Sequence, residues 1–316
     1  MIEVTVVSRR LEAQDICSYE LASTNGAPLP AFSAGAHIDV HLPDGLVRQY
    51  SLCNHPEERH RYQIGVLKDP VSRGGSRAMH DLIQIGTRLL ISEPRNLFPL
   101  VHAAKRSLLF AGGIGITPIL SMAESLAHHG AEFELHYCAR AWECAAFVER
   151  LQQSAFADRV FLHLDQQPET ALDIVKVLGE PNDGVHLYVC GPGGFMQYVL
   201  ESASSHGWRD DHLHREYFAA APVDTAADGG FSVKVGSTGQ IFDVPADRSV
   251  LQVLESHGIE IPMSCEQGIC GTCLTRVLEG VPEHRDLFLT DEEHALNDQF
   301  TPCCSRSKTP LLVLDI

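Results

Sequence analysis

Cys265-Glu-Gln-Gly-Ile-Cys270-Gly-Thr-Cys273, with Cys303 thirty residues further on, is the stretch from which the rest of the chain is read. The C-x4-C-x2-C…C spacing is that of plant-type [2Fe-2S] ligation. Gly268 and Gly271 let such a loop wrap a cluster, so that three thiolates and several backbone N–H groups converge on its sulfurs while the distant cysteine closes the site. The rival reading is a four-cysteine structural zinc site. Zinc ribbons favour two C-x2-C pairs, whereas here the first spacing is four and the last cysteine is solitary. Cys304 adjoins Cys303 and competes for the fourth position. Neighbours in an extended segment point oppositely, so only one of the two can face a cluster. Cys17, Cys53, Cys138 and Cys144 read as small core residues.

Around this loop the pattern is that of a small module of about ninety residues. Strands are expected at 231–235, 240–244 and 311–314, with a helix at about 249–257 that opens after Asp247 and stops at Gly258. Upstream, 219–230 reads AAAPVDTAADGG, small and turn-forming residues with no anchor for a core, and is expected to be a linker. From Phe231 onward there are 13 acidic and 6 basic side chains, an acidic rim that could steer a basic electron acceptor.

The middle third alternates differently. An apolar run at 107–111 leads into Gly112-Gly113-Ile114-Gly115-Ile116-Thr117-Pro118, and an amphipathic helix from Pro118 closes at Gly130. Apolar strands at 133–138 and 185–190 alternate with helical stretches at 145–153 and 195–204, which implies a doubly wound α/β domain around a parallel sheet. The first glycine turn departs from G-x-G-x-x-G, with proline in place of the third glycine. A second, Cys190-Gly191-Pro192-Gly193-Gly194-Phe195-Met196, again joins strand to helix. Two such turns at the carboxyl ends of parallel strands make a crevice for a nicotinamide dinucleotide, held by Gly113, Gly115, Pro118, Gly191 and Pro192, with Cys190 near the reactive ring.

The first hundred residues offer short strands at 36–42, 48–52, 62–67 and 89–92, separated by Pro, Gly and Asp turns, and a helix at about 76–85. An antiparallel β-barrel follows. Arg48, Tyr50 and Leu52 alternate onto one strand face, where a cation and an aromatic ring can bracket a flat anionic ligand, although the residues alone favour an exposed strand that carries one arginine.

At 316 residues the chain has room for two or three domains, and 44% hydrophobic with 21% charged residues is ordinary globular composition. The net charge of −17 disfavours nucleic acid and anionic membrane as partners. The N-terminus, MIEVTVVSRRLE, alternates like a strand and lacks an apolar signal core, and no run reaches the roughly 18–20 apolar residues of a membrane span, so a cytoplasmic address is expected. Ten cysteines then read as thiols or metal ligands rather than disulfides.

Arg48-x-Tyr50-Ser51-Leu52, the 112–118 turn, Cys190-Gly-Pro192 and the cysteine quartet occur in the order found in the phthalate dioxygenase reductase family, the class IA reductases that serve Rieske aromatic oxygenases, and the chain resembles that family over essentially its whole length. The resemblance implies an FMN-binding barrel at 1–102, a NAD-binding α/β domain at 103–222 and a β-grasp plant-type [2Fe-2S] ferredoxin at 230–316. It assigns the flavin to Arg48, Tyr50 and Ser51, its phosphate to the segment from Arg73 through Gly74, Gly75 and Ser76, and flavin contacts to Thr117 and to Phe218 of Glu216-Tyr217-Phe218. It also favours Cys303 over Cys304 as fourth ligand beside Cys265, Cys270 and Cys273. One departure is Ala141, after His136-Tyr137-Cys138-Ala139-Arg140, where the family has an acidic residue. NADH over NADPH is thus a preference. Arg140 could meet a 2′-phosphate, although Glu143 argues against it.

The function implied is a reductase taking hydride from NADH and passing single electrons through FMN and the cluster to a terminal oxygenase component. Splitting an electron pair needs no general acid or base, so no catalytic role is assigned to the 17 histidines. Two alternatives remain at this level: a reductase for a quinone, a haem protein or another hydroxylase, and a redox-sensing regulator that binds the nucleotide only as a ligand.

Overall fold

Alternation in the first part of β1 (Ile2–Ala13) buries Val4 and Val6, and the strand pairs on both edges, with β2 (Ile16–Ser23) and β6 (Arg88–Ile91). The computed structural model describes residues 1–71, 74–219 and 228–316, in two compact units, Met1–Tyr217 and Phe218–Ile316. With β3 (His37–His41), β4 (Val47–Ser51) and β5 (Tyr62–Leu67) the first sheet runs β4-β3-β6-β1-β2-β5, every pair antiparallel. A bridge from Leu52 to Ile64 joins its two ends, giving the expected barrel around Tyr19, Leu21, Ile38, Val40 and Tyr62. Strand β2 has no counterpart in the sequence reading. Its first four residues, Ile-Cys-Ser-Tyr, are all buried, which erases the alternation that marks a half-exposed strand. Helix α1 (Gly75–Leu82) stops short of residue 85, because Ile83 turns extended and enters the barrel core.

The second sheet of this unit has the order β11-β10-β7-β8-β9, all parallel. Its elements are β7 (Arg106–Gly112), α2 (Ile116–His128), β8 (Glu132–Ala139), α3 (Val148–Gln152), β9 (Val160–Leu164), α4 (Ile174–Leu178), β10 (Val185–Cys190), α5 (Gly193–Ser205) and β11 (Leu213–Glu216). Alternation along β7 sends Leu109 and Ala111 to the core shared with α2, and Leu108 and Phe110 to the core shared with α5. Helices therefore cover both faces, as expected for a doubly wound domain. The chain moves from β7 outward through β8 and β9, then returns to the other side of β7 for β10, so the topological switch point lies between β7 and β10. The helix expected at 145–153 is only Val148–Gln152, since Phe147 adopts a left-handed φ of 60° to bury its ring.

In the second unit β12 (Phe231–Val235), β13 (Ile241–Val244), α6 (Val250–Ser256), β14 (Thr275–Glu279), β15 (Pro282–Glu283), α7 (Asp291–Leu296), β16 (Gln299–Phe300), β17 (Arg306–Ser307) and β18 (Leu311–Leu314) form a β-grasp. The main sheet runs β13-β12-β18-β14-β16 with β12 and β18 parallel at its centre, and β15 pairs with β17. Helix α6 falls within the expected 249–257 and opens at Ser249: Ser249 Oγ accepts the Gln252 N–H and the Gln252 side chain accepts the Ser249 N–H, a capping box. Val250, Val253 and Leu254 pack on the sheet, whereas Leu251 packs on Cys273 and Cys303. Of the expected 219–230 linker, 220–227 lie outside the described residues, as does Arg73. Asp228 is held by Arg285 Nη2 at 2.6 Å. Among the described residues no helix is long and apolar enough to cross a membrane.

Candidate electron-transfer sites

Between α6 and β14 the chain forms no regular element, and it is here that Cys265, Cys270 and Cys273 are gathered and buried, with Cys303 brought in from the far side of β16. Their sulfurs interact directly: Cys265 with Cys270 and Cys303, and Cys273 with Cys303. The loop turns through Gly268, whose φ of +71° few side chains tolerate. A Cβ there would also stand 2.4 Å from Cys304 Sγ and 2.9 Å from Asp286 Cα. Amide groups point at the sulfurs, Gln267 N–H at Cys265 Sγ (3.3 Å) and Thr272 N–H at Cys270 Sγ (3.5 Å). Donation from Cys270, then from Cys303, holds the Cys265 thiol below its ordinary pKa. Buried sulfurs that receive backbone N–H groups suit thiolate ligands of a [2Fe-2S] cluster, so the residues fit the group. The Sγ of Cys304 meets Thr301 Oγ1 at 3.2 Å, while Cys303 packs with Cys273 and Leu251.

The two glycine turns lie side by side at the carboxyl ends of β7 and β10. A Cβ on Gly115 would stand 2.2 Å from the Cys190 carbonyl oxygen, and one on Gly191 2.9 Å from Gly112 Cα, so the turns touch backbone to backbone. Pro192 and Phe195 close over Gly112. Pro118 lies buried in the first turn of α2, next to buried Thr117. Cys190 is fully buried, and burial raises its thiol pKa well above the ordinary value. This is the crevice that a doubly wound sheet offers a dinucleotide, located at its switch point.

The barrel faces the same region. Arg48 lies against Gly75, at the start of α1, where a Cβ would meet the arginine Cγ at 2.4 Å. Gly74 stands at the N-cap of that helix without a side-chain cap bond, and no acidic residue occupies the first turn, a charge pattern compatible with a phosphate. Ser76 Oγ accepts the Asp69 N–H at 3.2 Å. The Tyr50 hydroxyl is buried with no hydrogen-bond partner, an orphan that a bound flavin would satisfy. Thr117 donates to Ile114 O at 3.1 Å, and its methyl touches the Gly65 position of β5. Phe218 is 39% exposed.

One constellation joins the two halves of this unit. Ser51 Oγ donates to Glu216 Oε2 at 3.0 Å, and Glu216 pairs in register with Cys190. Burial pushes the Glu216 carboxyl up to about 7, with the Ser51 hydrogen bond opposing. His37 Nδ1 lies 3.9 Å from Glu216 Oε1, but burial, then the Arg95 charge, lower that imidazole to about 4, so it is neutral near pH 7. Glu216 entered the sequence reading only as part of a motif, and its contact with Ser51 spans 165 positions. Gly65 was missed. Its signal was legible, a glycine inside the apolar run Tyr62–Leu67, which marks a close approach.

A barrel and doubly wound sheet that place an orphaned tyrosine beside a dinucleotide crevice, on a chain that carries a four-cysteine β-grasp, define a pyridine-nucleotide-dependent iron–sulfur reductase. Comparison with known proteins agrees. A family model described as a 2Fe-2S iron-sulfur cluster binding domain matches residues 233–308, and one for the N-terminal domain of dimethylamine monooxygenase subunit DmmA-like proteins matches 90–213. The vanillate O-demethylase oxidoreductase of Pseudomonas putida is 73% identical, with 100% of each chain covered. That of Pseudomonas sp. (strain HR199 / DSM 7063) is 60% identical, again over 100% of each. The solved structure of phthalate dioxygenase reductase, described as modular for electron transfer from pyridine nucleotides to [2Fe-2S], superposes with a TM-score of 0.78 at 39% identity, over 100% of this chain and 98% of that one. The chain belongs to the phthalate dioxygenase reductase family and is an oxidoreductase, the reductase component of an oxygenase system.

Proposed function

We propose that the chain is the NADH-dependent reductase of a vanillate O-demethylase, with a flavin module at 1–102, a nicotinamide module at 103–222 and a ferredoxin module at 230–316, working in the cytoplasm. The observation that carries the hydride step is the Ser51–Glu216 hydrogen bond of 3.0 Å beside Cys190, because it brings the strand of Arg48 and Tyr50 against the mouth of the dinucleotide crevice. Bound FMN would accept an electron pair from NADH and release it singly to the [2Fe-2S] cluster, which hands each electron to the oxygenase.

In this reading Arg48 neutralises the flavin phosphate together with the N–H groups at Gly74, Gly75 and Ser76, and Tyr50 donates its orphaned hydroxyl to the flavin. Thr117 and Cys190 shape the space around the nicotinamide and flavin rings. Gly113, Gly115, Pro118, Gly191 and Pro192 carry the dinucleotide, and the absence of an acidic residue at Ala141 leaves NADH a preference. Cys265, Cys270, Cys273 and Cys303 hold the cluster. The test is reconstitution with the oxygenase component of a vanillate O-demethylase: NADH consumption should become dependent on vanillate and yield its demethylated product. An oxygenase left unreduced, while a quinone or haem protein is reduced rapidly, would favour the other acceptors.

A further inference from the structure

Three side chains outside the cysteine loop converge in the second unit: His284 after β15, Asp286 two residues on, and His294 in the last turn of α7. Their ligand atoms all lie within 4.8 Å of one another. His294 Nε2 is 3.3 Å from Asp286 Oδ2, His284 Nδ1 is 3.7 Å from Oδ1, and the two imidazoles stack with centroids 4.3 Å apart. Asp286 is fully buried at its side chain and His284 is 8% exposed. The His284 ring has neither nitrogen in a hydrogen bond, although both are buried. Neighbouring Asn297 favours the protonated ring but makes no bond of acceptable geometry with it.

A buried imidazole with two unsatisfied nitrogens, aimed at a buried carboxylate, is costly unless something lies between them. Backbone N–H groups of Phe288 and Leu289 and the Ser305 hydroxyl reach the same carboxylate but leave His284 unmatched. We propose that His284, Asp286 and His294 bind a divalent cation of the zinc type, at a site built from different residues than the iron–sulfur cysteines. The donor set of two neutral imidazoles and one carboxylate carries a single negative charge and suits a borderline first-row dication. Ligands at roughly 2.0–2.2 Å from zinc stand roughly 3.2–3.6 Å apart; the His294–Asp286 separation of 3.3 Å already matches, and the full set, within 4.8 Å, would draw in slightly around the ion, with a further position left for water. The ion would clamp α7 onto the 284–289 segment, which itself binds the cluster loop through Leu287 N–H to Gly268 O at 3.0 Å.

The test is calorimetric titration of zinc chloride into the tag-free, full-length protein carrying its flavin and cluster, with visible absorption followed in parallel. Expected is saturable uptake of one zinc per chain with the visible bands unchanged, abolished in His294→Gln and retained in His102→Gln, which alters an exposed histidine. His294 is partly exposed, and unchanged visible bands in His294→Gln check that its module is folded. Absence of saturable uptake, equal uptake by His294→Gln, or uptake matched by bleaching of the visible bands would each overturn the site.

Discussion

Replacing Glu216 with glutamine removes a titratable group from the junction of the barrel and the parallel sheet without removing the acceptor that Ser51 uses. Burial raises the Glu216 carboxyl from 4.5 to about 7 in the folded protein. The folded state therefore binds a proton more tightly than the unfolded chain, and that stabilisation is complete below about pH 4.5 and lost as the pH rises through 7. The shift corresponds to roughly 3 kcal/mol in full, of which some 2–3 kcal/mol falls between pH 5 and 8. His37, neutral across most of that window, does not compensate. Glutamine is uncharged throughout. Relative to wild type, Glu216→Gln should gain thermal stability as the pH rises from 5 to 8, by roughly 5–10 °C for a unit of this size. Scanning calorimetry on both proteins across that range checks the sign and the window. A melting-temperature difference that stays flat with pH would refute the reasoning, because it would mean that Glu216 titrates as it does in water.

Further expectations concern single sites. Arg48→Ala should release flavin during purification, with affinity down about ten- to a hundredfold if charge-assisted bonds to the phosphate are lost, as read from bound flavin absorbance. Gly115→Ala drives a methyl against the Cys190 carbonyl, a backbone clash with no cheap relief, and should raise the KM for NADH about tenfold or more in dye-reduction assays while flavin content is unchanged. Cys270→Ser should leave NADH-driven reduction of a flavin-level dye intact and abolish transfer to a one-electron protein acceptor, whereas Cys304→Ser should spare both.

What could be read from the sequence follows from how tightly the chemistry constrains spacing. The C-x4-C-x2-C…C spacing is distinctive, so the four cysteines that the fold gathers and buries, Cys265, Cys270, Cys273 and Cys303, were legible, and backbone contact excludes Cβ atoms, so the turns at Gly115 and Gly191 were too. The barrel, parallel sheet and β-grasp were legible where a strand alternates, as at 231–235, or forms an apolar run bounded by turn residues, as at 62–67 and 107–111. Strand β2 was not, because burial of Ile16 through Tyr19 erases its period, and β9, α4 and β11 are too short to outweigh their surroundings. The Ser51–Glu216 bond and the His284–Asp286–His294 cluster depend on tertiary packing that no local pattern encodes.

Paired irons in the C-terminal module, filled with electrons from NADH, are the central claim. Protein isolated without exposure to air should contain about two iron and two acid-labile sulfide per chain, and NADH should bleach their visible bands. Zinc in place of iron, or bands that NADH leaves unchanged in flavin-replete protein, would contradict it.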